Sequence, residues 1–204
     1  VFVPRPDRFY IPSRQVLPYT QANSFVEVFR HALAIDERRR MFRADLWKDP
    51  QEFKPDPFSD SQAQPQDIKQ VWFAGVHSDV GGGYPETESG LAKYPLQWMI
   101  DEAVQHGLLI NQVMYDHLVL GMSRVGGSKQ YVAPDPAATL HNSMTWAWRA
   151  IDWFPKRRVM GDDARVHASV FERKELCSDY RPSNLPLRVV IEGTQVLLEA
   201  TAGA

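Results

Sequence analysis

A chain of 204 residues, 44% hydrophobic and 24% charged, holds enough apolar material for a sizeable core and is not biased toward disorder. A formal net charge of −2 with no long Lys/Arg block excludes the basic face of a nucleic-acid-binding protein; the tightest basic cluster, Arg38 to Arg40, reads as a solvated face. The single cysteine, Cys177, excludes an internal disulfide and a sulfur metal site, and no apolar run approaches the roughly 20 residues of a membrane span or forms a signal peptide. A soluble protein is expected, placed in the cytoplasm or exported without a signal peptide, with membrane contact at most peripheral.

Residues 1–22 carry Pro4, Pro6, Pro12 and Pro18, and because proline fixes φ and removes a donor, an extended loop is expected there. The chain begins with Val1 rather than Met, and we read it as the C-terminal part of a longer polypeptide. Ser24-Phe25-Val26-Glu27 has the form of a capping box, and Phe25, Val28, Phe29, Ala32 and Leu33 recur at helical spacing, which predicts a helix to about Arg39. Residues 48–70 turn to Pro, Gln, Asp and Ser and are expected to form a polar surface loop.

Val71, Trp72 and Phe73 then form a short apolar run that suits a strand buried on both faces of a parallel sheet. It would deliver His77 and Asp79 to a surface loop ended by Gly81, Gly82 and Gly83, which let the backbone take positive φ. Leu91, Met99, Ile100, Ala103 and Val104 predict a helix over 91–106, with Pro95 in its first turn and Gly107 as its cap. A strand followed at once by a helix is the unit of a doubly wound sheet, so the fold class is α/β, in one domain spanning 1–204.

Val113, Met114, Leu118 and Val119 suggest a shorter helix before a break at Gly126-Gly127. Between His141 and Phe154 lie Trp146, Trp148 and Trp153; Met144, Trp148 and Ile151 share a helical face, which reads as a helix packed on the core or as a greasy wall for an acyl chain. Leu187 to Leu198 alternates around Gly193 as one or two terminal strands.

In open α/β sheets ligands lie beyond the carboxyl ends of the strands, where His77 and Asp79 would sit. A strand-end His can equally be a structural residue, and Asp79 can fix the glycine turn through its own side-chain hydrogen bonds. The unbroken block Gly75-Val76-His77-Ser78-Asp79-Val80-Gly81-Gly82-Gly83-Tyr84 resembles the signature of an α/β-hydrolase family once listed as a domain of unknown function and linked to type VI secretion phospholipase effectors. His31-Ala32-Leu33-Ala34-Ile35-Asp36-Glu37-Arg38-Arg39 with Phe42 and Trp47, His141-Asn142-Ser143, Val166 to Val170 and Tyr180 to Asn184 are similar to further blocks of that family.

The resemblance implies an α/β-hydrolase-like fold, a mostly parallel sheet flanked by helices, truncated at its N-terminus. It also implies a Ser-His-Asp mechanism on phospholipid or another hydrophobic ester, with no cofactor and no metal. Chain order in such folds places the histidine after a late strand, which makes His77 the candidate general base. The serine should sit on a Gly-x-Ser-x-Gly elbow, and none is present; Gly121-Met122-Ser123-Arg124-Val125 fails at its fifth position. In the family the serine elbow and an Asp-Thr-Val strand end both precede the matched blocks, so the resemblance puts the nucleophile and that acid upstream of Val1. If that upstream acid is not the one used, Asp79, beside His77, and Asp36, at the end of the His31 block, are the candidate carboxylates, and His167 is a reserve base.

Two other readings stand beside this one. His31, Asp36, His77 and Asp79 could supply ligands to a divalent metal for phosphoester cleavage. A chain without a nucleophile could also be a hydrolase-fold interaction module. The sequence leaves the oligomeric state open.

Overall fold

In chain order the strands and helices are β1 (Phe2–Pro4), β2 (Tyr10–Pro12), β3 (Val28–Ala34), β4 (Glu52–Phe53), β5 (Gln64–Pro65), β6 (Asp67–Phe73), α1 (His77–Gly81), α2 (Gly90–Gln105), α3 (Gln112–Leu118), α4 (Trp146–Ile151), β7 (Ala164–His167), α5 (Ala168–Leu176) and β8 (Val189–Glu192). They come from a computed structural model that describes residues 2–4, 10–12, 19–56, 58, 62–152 and 156–193. The chain forms two compact units, Val1–Phe29 with Asp45–Ile68, and Arg30–Ala44 with Lys69–Ala204.

In the first unit the proline-rich start is not all loop: β1 and β2 pair antiparallel, Phe2 opposite Pro12, with a proline ending each strand. The polar stretch read as a surface loop, 48–70, carries a second antiparallel pair, β4 with β5, and the first residues of β6. Trp47 is buried, stacks on Phe29 at 4.3 Å between ring centroids, and donates its indole N–H to Gln66 Oε1 at 3.0 Å. Gln66 in turn donates to the Asn23 carbonyl at 2.6 Å, so the buried amide is satisfied on both sides.

A four-stranded sheet has the order β3-β6-β7-β8. β6 and β7 run parallel with Val71 opposite Arg165, and β7 and β8 parallel with Ala164 opposite Val189. β3 runs the same way as β6, since the Ile35 N–H bonds to the Phe73 carbonyl and the Asp36 N–H to that of Gly75. Residues 28–34 are therefore a strand, not the helix that their spacing predicted. The strand's apolar residues fall at helical spacing around Arg30 and His31, and over so short a stretch periodicity alone does not separate a strand from a helix.

Both faces of β6 are covered within the second unit. Trp72 and Ala74 point to one side and pack with Leu33, Ile35, Val166 and, from α5, Val170. Val71 and Phe73 point to the other and pack with Trp98, Tyr94 and Met99 of α2. Val71 and Phe73 are 0% and 1% exposed, and burying side chains of this size stabilises a fold by about 1.5–3 kcal/mol each. This double burial is why the apolar run 71–73 was legible as a parallel-sheet strand.

Three expectations change in detail. His77 and Asp79 lie on the short helix α1 rather than in a loop, and Gly82, at φ 77°, takes the left-handed conformation that ends it. Helix α2 begins at Gly90, so Pro95 is inside it rather than in the first turn. The helix expected over the tryptophans is short, α4, with Thr145 as its cap; Met144 precedes it, Trp146 is exposed and Trp153 lies outside the described residues. β8 accounts for the start of the terminal alternation, and residues 194–198 lie outside the described residues.

Candidate active site

The carboxyl ends of β3 and β6 bring three acidic residues into the second unit's interior edge. Leaving β3, Asp36 donates its N–H to the Gly75 carbonyl and accepts the Gly75 N–H on Oδ2 at 2.9 Å, which staples the two strand ends together. Tyr180 O–H donates to the same oxygen at 2.9 Å. Burial holds the Asp36 carboxyl above the usual carboxylate range, although these hydrogen bonds and Arg173 and Arg157 work against it.

Glu37 has a side chain with no exposure at all. Its Oε1 accepts the backbone N–H groups of Arg38 and Arg39, both at 3.0 Å, and its two oxygens accept Nε and Nη2 of Arg39 at 2.9 and 2.7 Å. The His77 N–H donates to Oε2 at 3.2 Å and Ser143 Oγ to Oε1 at 3.1 Å. Burial alone would raise this carboxyl, but the hydrogen bonds from Arg39 and His77 outweigh it and hold it at about 2. Glu37 is thus an ionised anchor for the start of α1. Sequence reasoning gave it no role, because its partners become visible only when β3 and β6 lie side by side.

The Arg39 guanidinium, fixed by Glu37, lies 3.9 Å from the centroid of the Phe42 ring. Phe42 meets the His77 ring at 5.2 Å and the Trp148 ring at 5.8 Å. His77 is exposed, and among the described residues Phe42 is the ring that its imidazole contacts. The backbone of His77 is therefore held from below by Glu37 and its side chain from one flank by Phe42.

Neither candidate carboxylate is joined to the His77 imidazole. Asp79, 2% exposed, uses Oδ2 to accept the Val76 N–H at 2.9 Å and the His141 N–H at 3.3 Å. Its Oδ1 lies 2.6 Å from His141 Nδ1, and His141 Nε2 lies 2.9 Å from Glu88 Oε2. Both partners are carboxylates and can only accept when ionised, so each ring nitrogen donates and His141 is an imidazolium. Burial would lower its pKa, but the bonds to Glu88 and Asp79 outweigh this and raise it. The Tyr84 ring stacks on it at 3.5 Å.

This Asp79–His141–Glu88 bridge was missed from the sequence. The block His141-Asn142-Ser143 drew attention to the place, but only the fold sets it against α1. A histidine that donates from both nitrogens has no lone pair to accept a proton, so His141 is not the base of this arrangement.

The remaining candidates are elsewhere. His167 ends β7, stacks on Phe73 at 4.8 Å, pairs its Nδ1 with Ser169 Oγ at 2.9 Å, and is held by burial at about 4. His31 lies within β3, and burial lowers its pKa. Among the described residues no three His, Cys, Asp or Glu side chains are grouped to hold a metal ion, so His31, Asp36, His77 and Asp79 do not form the ligand set considered above. Ser123 is exposed in irregular chain rather than on a strand-to-helix elbow. No helix among the described residues is long and apolar enough to cross a membrane.

Comparison with known proteins bears on this site. The model of the type VI secretion phospholipase effector Tle1-like catalytic domain matches residues 2–102, which include β3, β6, His77 and Asp79. The uncharacterized protein YEL023C of Saccharomyces cerevisiae is 44% identical over 45 residues, 21% of this chain and 7% of that protein, so the chain spans only a small part of that relative's length. No solved structure matches.

Proposed function

We propose that the chain, whose residues 2–102 match the Tle1-like catalytic domain of type VI secretion phospholipase effectors, belongs to that family and takes part in serine-type hydrolysis of a phospholipid or another hydrophobic ester, with His77 as general base. The observation that carries this reading is the placement of His77. It is the exposed imidazole at the carboxyl end of the central strand β6, where sites of open α/β sheets lie, while His141 is tied by two carboxylates.

In the proposed reaction the imidazole takes the proton of a serine hydroxyl as its oxygen attacks the ester carbonyl, then returns that proton to the departing alcohol. Water hydrolyses the acyl-enzyme by the same steps in reverse roles. With no Gly-x-Ser-x-Gly in these 204 residues, the nucleophile of this reading is a serine outside them. The acid that orients His77 would be supplied in the same way, because Asp79 and Asp36 are engaged with His141 and with Gly75 and Tyr180.

The test is release of fatty acid from phospholipid vesicles by the complete protein and its His77→Ala variant. A loss of about 10⁴-fold, unaffected by a metal chelator, is expected. Undiminished hydrolysis by His77→Ala would exclude His77 as the base. A complete protein that hydrolyses no ester would leave the interaction-module reading, which the missing elbow favours.

A further inference from the structure

Beyond the carboxyl end of β3 a cavity of about 520 Å³ opens toward the turn that follows α5. Four arginines line it, Arg38, Arg157, Arg173 and Arg181, against two carboxylates, Asp36 and Asp179. Among the described residues none of the four arginines makes a salt bridge. The charge of Asp36 is already engaged by the Gly75 N–H and the Tyr180 O–H. A concave surface with more cations than anions, and with its nearest carboxylate hydrogen-bonded, attracts an anion.

Two of the arginines, Arg173 and Arg181, are also held in place. Arg173 is only 7% exposed; its Nη1 donates to the carbonyls of Pro136 and Ala138 at 2.6 and 2.7 Å, and its guanidinium lies 5.1 Å from the Tyr180 ring centroid. Its buried Nε has no hydrogen-bond partner among the described residues. Arg181 Nη1 donates to the carbonyls of Tyr180 and Lys174 at 2.8 and 3.1 Å. Backbone carbonyls orient these guanidinium groups without neutralising them. Planar forks of this kind match phosphate oxygens two at a time. The volume exceeds what a lone anion fills and is in the range of sites for small organic ligands, roughly 300–1,000 Å³.

We propose that this cavity is a phosphate-binding site, in which Arg38, Arg157 and Arg181 grip the phosphate of a phosphorylated organic ligand and Arg173 forms the fixed wall behind it. Its rim at Asp36 is stapled to Gly75, two residues before His77 in the chain. As a means of holding a substrate head group it rests on the hydrolase reading; as a binding site it does not.

The experiment is calorimetric titration of the full chain with glycerol 3-phosphate and with glycerol, alongside sedimentation with phosphatidylcholine vesicles that contain or lack phosphatidic acid. Arg38→Gln and Arg157→Gln are compared with Arg188→Gln, whose side chain is 74% exposed and lies outside the cavity. Phosphate-dependent binding that each cavity variant weakens by about ten-fold, and Arg188→Gln leaves unchanged, is the expected result. Arginine-dependent binding of the soluble ester alone identifies a soluble phosphorylated ligand, and recruitment by phosphatidic acid alone identifies a lipid head group.

Absence of both kinds of binding, or binding indifferent to Arg38→Gln, overturns the proposal; Arg38 is exposed, so that variant decides the matter even if Arg157→Gln unfolds. Phosphate binding by a complete protein without esterase activity would sink the hydrolase reading while leaving the site standing.

Discussion

His141 and Asp79 lie 62 residues apart in sequence, yet their side chains meet at 2.6 Å between Nδ1 and Oδ1. The contact fastens the segment before α4 to the helix that carries His77, and Glu88 completes it from the turn before α2 at 2.9 Å. One imidazolium thus joins three stretches of chain around the end of β6.

Stability should therefore depend on pH through His141. Its native pKa is raised, so its contribution is complete below the ordinary histidine value of about 6.5 and is lost as pH rises through the native value. His141→Gln should cost about 2 kcal/mol at acidic pH, and the difference from wild type should shrink toward alkaline pH. Urea denaturation across that range measures it; a gap that stays constant would mean that the charge on His141 is not what holds the bridge. Glu88→Gln should cost less than about 1 kcal/mol, because half of the Glu88 side chain is in water.

Gly75 is required for the same geometry. Its φ is 114°, and a Cβ there would stand 2.4 Å from Asp79 Cβ and 3.0 Å from Asp79 Oδ2. Gly75→Ala combines an unfavourable backbone conformation with a clash against a buried side chain, and should destabilise by about 2–4 kcal/mol. The substitution should also displace Asp79 from the Val76 N–H and from His141, visible as loss of the pH-dependent stability just described. A variant with wild-type denaturation curves would refute this account of the glycine.

The sequence carried the sheet more plainly than the site. Val71 to Phe73 announced a strand because both of its faces are apolar, whereas Val28 to Ala34, half-buried over its first five residues, carries Arg30 and His31 and looked like a helix because its apolar residues fall at helical spacing. The capping pattern at Ser24 added to that impression, whereas the hydrogen bonds that decide the matter run to Phe73 and Gly75, about 40 residues on. His77 and Asp79 were found by their place after a strand. The partners that separate them, Glu37 under the His77 N–H and His141 on Asp79, are set by crossings of the fold that no local pattern encodes.

Glu37 should dominate acid sensitivity in the second unit. Its native pKa of about 2 lies below its ordinary value of 4.5, so its stabilisation is complete above 4.5 and is lost as pH falls toward 2. Replacing the carboxylate by an amide, Glu37→Gln, leaves Arg39 facing a neutral group in a buried setting and should cost about 3 kcal/mol at neutral pH. The variant should lack the acid-side slope of the wild type in that window. Parallel slopes in the two proteins would show that Glu37 is not the group responsible.

The contact of Phe42 with His77 should matter for activity more than for folding. Phe42 carries the Arg39 guanidinium on its ring and flanks the His77 imidazole, so it is a positioning residue for the proposed base. Phe42→Leu keeps much of the apolar volume but removes the aromatic face, which frees the imidazole to turn away from its present orientation. A base misplaced by about 1 Å loses on the order of 10²-fold in rate, and this loss should fall on kcat rather than KM in the complete protein. A purely structural role would instead leave the kcat of the folded fraction intact. The histidine resonances separate the two: a shift confined to His77, with His141 and His167 unmoved, is what positioning requires, and a general collapse of all three would assign Phe42 to packing.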